Sequence, residues 1–176
     1  MLSEHRIKEA ESCVKSYLND GLLKKAPPKE EIQNVLMRNA KESLLVAQQV
    51  RNSETSDLWV IVCSYYSMYY YANAALLKLG YKVSDKIVHK VTADALIVFV
   101  RDKLESSLIS EYEDAKDEAM KLAGLKAESI IESFDYERGK RNRIQYRTIE
   151  TEKHSKAETS LRRAKEFAKE MKRIII

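Results

Sequence analysis

Residues 58–77 read LWVIVCSYYSMYYYANAALL, twenty positions without a charge. A stretch of this length and apolarity belongs either in a bilayer or in the middle of a helical bundle. Its composition decides between them. Five tyrosines, Ser64, Ser67 and Asn73 populate its middle, where lipid would leave their polar groups unpaired. Aromatic belts sit at membrane interfaces, not at the centre. The expectation is a central helix covered on nearly all sides by its neighbours, with tyrosine hydroxyls reaching a polar interface and no membrane partner.

The rest of the chain supplies those neighbours. Residues 3–20 place Ile7, Ala10, Cys13, Val14, Tyr17 and Leu18 at amphipathic helical spacing, with Ser3 as cap and Asp20-Gly21 as stop. A basic connector, Leu22 to Pro27, follows. Pro28 suits the first turn of a second helix running to about Arg51, with Ile32, Leu36, Ala40, Leu44, Leu45 and Ala47 inward. Gly80 ends the uncharged helix. Ser84 and Asp85 are candidate caps for the next, which turns Ile87, Val88, Val91, Ala95, Leu96, Phe99 and Val100 inward. The acidic run 102–118 reads as a solvated helix face, and Gly124 as a break. Thr151 or Ser155 is expected to open the last helix, whose stripe is Leu161, Ala164, Phe167, Ala168 and Met171. No strand is evident. Four Gly and two Pro in 176 residues argue against turn-rich β folds and glycine-dependent Rossmann domains. The fold class is therefore all-α: an antiparallel up-and-down bundle of five to seven helices in one domain, 1–176, with 1–27 an N-terminal helix and connector and 28–176 the core bundle.

Several chemistries drop out. Both common glycine-rich phosphate cradles are missing. No Glu has a His three residues on, as bundle di-iron sites require. Cys13 and Cys63 lie inside helical patterns, far from each other and from any histidine. They read as buried thiols and, with no leader legible, point to the cytoplasm. No metal or cofactor is expected.

One segment stands out. Residues 138–147, RGKRNRIQYR, hold Arg138, Lys140, Arg141, Arg143 and Arg147 and no acid, in a chain of net charge +4. The remainder is close to neutral. Such a cluster reads equally as a phosphate site, for nucleic acid or nucleotide, or as a solvated helix end whose cations meet the C-terminal dipole.

The run SYYSMYYYANAALLKLGYKVSDKIVHKVTADAL, then RNRIQY, then a helix ending LRRAKEFAKEMKRI, resembles the HEPN superfamily, in particular its small single-domain archaeal and bacterial members. The resemblance spans roughly residues 30–175. It rests on Tyr65 to Ala72, Leu76 to Gly80, His89, Arg141-Asn142 and Ala164 to Phe167, in that order. It implies a helical bundle that forms a homodimer. In active members an Arg-x(4–6)-His motif from both protomers meets at the interface and cleaves RNA without metal. The ribose 2′-hydroxyl attacks, histidine serves as acid and base, and arginine stabilises the phosphate. Many members are toxins paired with a minimal nucleotidyltransferase antitoxin, and nucleotide binding has also been proposed for the family.

Here Arg141 and Asn142 match the motif, but the histidine position holds Tyr146 and the tyrosine two beyond is Thr148. A phenol with a pKa of about 10 is a poor base at neutral pH. Arg147 and His154 meet the loosest spacing, across what reads as the loop between the last two helices. Two functions follow as expectations: a degenerate motif that binds RNA or nucleotide through Arg138, Lys140, Arg141, Arg143 and Arg147, with Asn142 and Tyr146; or a metal-independent ribonuclease using Arg141 with Tyr146 or His154. A third is a helical module whose basic patch docks an acidic protein. His89 reads either as part of the ligand groove or as a helix-start residue bonded to a neighbour, the latter preferred. Tyr65, Tyr66, Tyr69 and Tyr70 could stack on bases, though such a stripe is more often core and interface.

Overall fold

The structure is a computed structural model. It describes the backbone of residues 2–105, 107–134 and 143–176, and the side chains of these outside 125–153. Six α-helices, one 3-10 turn and a two-stranded ladder make up the described residues: α1 (Glu4–Asn19), β1 (Leu23–Lys25), α2 (Glu30–Asn52), α3 (Asp57–Lys78), β2 (Tyr81–Val83), α4 (Val88–Phe99), α5 (Leu108–Phe134) and α6 (Arg143–Ile175). The fold is an all-α bundle.

The uncharged run becomes α3, and its surroundings explain its composition. Ser56 caps it, accepting from the Trp59 amide at 3.4 Å. Its far end stops at Gly80, whose φ of 88° suits glycine. Ile61, Tyr65, Met68, Tyr71, Ala72, Ala75 and Leu76 are fully buried, because α2, α4, α5 and α6 all pack on this helix. α2 runs antiparallel to it: Gln33 donates to the Ala74 carbonyl at 3.0 Å and Ser67 to the Ala40 carbonyl at 2.8 Å. α6 runs alongside in the same direction as α3, from the Asp57–His154 pair at one end to Lys172 over the Tyr71 ring at the other. α5 is antiparallel to α6. Tyr112 stacks on Phe167 with centroids 5.4 Å apart, and Asp114 meets Arg163 at 3.3 Å. No helix among the described residues is long and apolar enough to cross a membrane.

Several boundaries differ from the sequence expectation. The connector after α1 is not irregular. β1 pairs antiparallel with β2, Leu23 opposite Val83 and Lys25 opposite Tyr81. Three residues are too few to show a period of two, so the ladder left no pattern. α2 opens at Glu30 behind Lys29, and Pro28 precedes its first turn. α4 opens behind Ile87, at φ 40° with no side-chain cap, rather than behind Ser84 or Asp85. Ile87 is exposed, as is Leu45 on α2. Ile87 precedes the first turn of α4, ahead of its buried run 91–97, and Leu45 lies off the face of α2 that buries Ala40 and Ala47. Gly124 does not break the chain: α5 passes through it to Phe134. A mid-helix glycine costs only about 1 kcal/mol against alanine. Nor does a helix open at Thr151 or Ser155, since α6 is continuous from Arg143. The stripe of α6 is buried as its spacing predicts.

The acidic run is not wholly solvated. Glu113 faces Arg6 of α1, whose Nη2 also donates to Asp94 of α4 at 2.5 Å. Asp94 is 1% exposed and takes a second bond from the Tyr17 hydroxyl at 2.8 Å. Burial opposes the Arg6 charge, but the two carboxylates outweigh it and hold the guanidinium above its ordinary range. Burial, then Asp94, pushes the Tyr17 phenol up. This network fastens α1 to the bundle. Cys13 and Cys63 are half-buried free thiols, and burial pushes the Cys63 thiol up.

Candidate functional site

On α3, positions 65, 66, 69 and 70 fall on one side by the three- and four-residue spacing of a helix. His89, in the first turn of α4, is set against them. The His89 ring lies 4.8 Å from Tyr69, 5.5 Å from Tyr65 and 5.8 Å from Tyr66, centroid to centroid. Tyr66 and Tyr70 stand 6.2 Å apart. These are tilted and edge-on arrangements, as ring quadrupoles prefer. Tyr65 is fully buried, whereas Tyr66, Tyr69, Tyr70 and His89 are half-buried and give the patch an open edge.

His89 Nδ1 and the Tyr65 hydroxyl are 2.7 Å apart. Burial holds the Tyr65 phenol well above its ordinary value, so it keeps its proton and donates. Burial, then the Lys116 charge, pushes His89 below the usual histidine range. The neutral imidazole thus accepts at Nδ1 and carries its proton at Nε2. A histidine held low binds fewer protons folded than unfolded. Its contribution to stability is complete above the unfolded value of about 6.5 and falls as pH drops below it. Between about pH 7 and pH 5 the melting temperature of the wild type should therefore fall further than that of His89→Gln. Equal falls in thermal scans of the two proteins would refute the assignment.

The other candidates fall elsewhere. Arg138, Lys140, Arg141 and Asn142 lie outside the described residues. Arg143, Tyr146 and Arg147 lie on the backbone of α6, their side chains outside the described ones. His154 is described and sits well inside α6 rather than beyond a loop. Its Nδ1 is 3.4 Å from Asp57 at the start of α3, and its Nε2 is 3.2 Å from Nη2 of Arg51 at the end of α2. A guanidinium can only donate, so Nε2 accepts and Nδ1–H points to Asp57. His154 therefore ties α6 to the end of α2 and the start of α3, and Tyr66, Tyr70 and His89 form a separate patch.

No family model, curated protein or solved structure matches this chain. The geometry therefore stands on its own chemistry.

That chemistry offers stacking faces and a neutral imidazole. Among the described residues no group of three or more His, Cys, Asp or Glu could hold a metal. Asp57 and Arg51, which position His154, carry no sequence signal, since they lie 97 and 103 residues from it along the chain. Lys116, which acts on His89, reads in sequence only as one cation in an acidic run.

Proposed function

We propose that this chain is a HEPN-like helical bundle that binds RNA or nucleotide without cleaving it. The observation that carries the reading is the run RGKRNRIQYR, five cations and no acid, spanning the junction of α5 and α6 in an otherwise near-neutral chain. Arginine forks suit phosphate oxygens. The half-buried rings of Tyr66, Tyr69 and Tyr70 supply faces on which bases stack. Tyr146, in place of the motif histidine, argues for binding over cleavage. On the resemblance, the protein acts as a homodimer and as the toxin-like partner of a minimal nucleotidyltransferase.

Salt tests this directly. RNA affinity should fall steeply with salt. Neutralising Arg138, Lys140, Arg141 and Arg143 to Gln should flatten the log–log slope by roughly 0.7 for each phosphate that the variant no longer neutralises. A slope that the fourfold variant leaves unchanged would refute the basic run as the phosphate site. Competition by an acidic protein but not by RNA would point instead to a protein-docking patch.

A further inference from the structure

Between the C-terminal end of α2 and the middle of α6 lies an open cleft of about 490 Å³. Its floor is apolar, formed by the buried Leu161. Three cations line it, Arg51, Arg162 and Lys165, against two carboxylates, Glu158 and Glu166.

The three cations differ in how tightly they are held. Arg51 is fixed, its side chain 19% exposed and its Nη2 bonded to His154 and, at 2.5 Å, to Glu158. Both bonds run through that one nitrogen, and among the described residues its Nε–H and Nη1 donors have no other partner, which suits them to a ligand. Arg162 pairs with Glu166 at 3.0 Å, one helical turn on, and both are exposed. Such a pair is weak, so a doubly charged oxyanion can replace the carboxylate. Lys165 is exposed and has no hydrogen bond or ion pair among the described residues. The cleft therefore presents one preorganised fork and two adaptable cations, at a size suited to a nucleotide. Its carboxylates suit ribose hydroxyls, which donate hydrogen bonds.

We propose that this cleft binds the phosphate of a nucleotide, free or within an RNA strand, between Arg51 on α2 and Arg162 and Lys165 on α6. The inference rests on the reading of the chain as an RNA- or nucleotide-binding protein and gives it a phosphate site apart from the basic run.

The test compares full-length wild type with Arg162→Gln/Lys165→Gln and with a control, Lys8→Gln/Lys24→Gln, of equal net charge. All four positions are exposed, and glutamine is a good helix former at both α6 positions. The probes are AMP, by titration calorimetry, and a short fluorescein-labelled single-stranded RNA, by anisotropy. The cleft variant should lose roughly 10- to 100-fold in affinity for at least one probe while the control stays near wild type. Loss for AMP identifies a free nucleotide as ligand, and loss for RNA alone identifies a strand. A cleft variant indistinguishable from the control on both probes overturns the inference. If the fourfold basic-run variant still loses RNA in that case, the functional reading survives without the cleft. Wild type that binds neither probe overturns both.

Discussion

Replacing Arg6 by Met should lower the melting temperature by roughly 6–20 °C. Removing one partner of a buried ion pair costs about 3–5 kcal/mol, and in a chain of this size each kcal/mol is worth about 2–4 °C. The reason lies with the partner left behind. Asp94 is 1% exposed on a helix buried along most of its length, and Arg6 is the cation bonded to it. Without Arg6 the carboxylate keeps, among the described residues, only the Tyr17 hydroxyl, and Glu113 loses its bonds as well. The double variant Arg6→Met/Asp94→Leu strands no charge at Asp94 and should recover much of the loss. Thermal unfolding of the three proteins decides it. A shift below about 2 °C for Arg6→Met, or no recovery in the double variant, would show that water already satisfies Asp94.

The second large effect concerns chemistry. Wild type should leave RNA intact in EDTA, and Tyr146→His should gain cleavage by about 10²–10⁴-fold, the usual worth of a general acid–base. A phenol near pKa 10 holds its proton at neutral pH, whereas imidazole exchanges one freely. Adding Arg141→Ala to Tyr146→His should abolish the gain, since nothing then stabilises the phosphate charge. Cleavage by wild type that Arg141→Ala removes would overturn the binding-only reading and make tyrosine a working member of the motif. If neither wild type nor Tyr146→His cuts, the motif is not a ribonuclease scaffold, and the resemblance extends at most to the fold.

What was legible in the sequence follows from how each feature is encoded. The centrality of α3 could be read because burial on all sides removes charge from every face, and twenty residues without charge are hard to miss. The stripe of α6 could be read because Leu161 to Met171 repeat the helical period. Helix stops were less legible. Gly21 and Gly80 end helices because each takes a positive φ, whereas Gly124 sits in an ordinary helix. Composition alone does not tell these apart. The ladder pairing Leu23 with Val83, the Arg6–Asp94 pair and the Arg51–His154–Asp57 junction are all long-range. Each joins residues whose local sequence carries no mark of the partner, so only the packed structure brings them to light. The tyrosines of α3 were visible as a group, but their division into buried Tyr65 and half-buried Tyr66, Tyr69 and Tyr70 depends on where His89 and Tyr112 arrive.

The placement of α6 against α3 bears on how the chain is made. α2 precedes α3 and can cover one flank as soon as both have left the ribosome. The opposite flank is covered by α5 and α6, and Phe167 is synthesised 96 residues after Tyr71. At cellular elongation rates that gap is roughly 5–20 s. For that interval the helix with the uncharged twenty-residue run stands half-wrapped on the nascent chain, a natural client for holding chaperones. A truncation that removes α6 would leave it in that condition permanently.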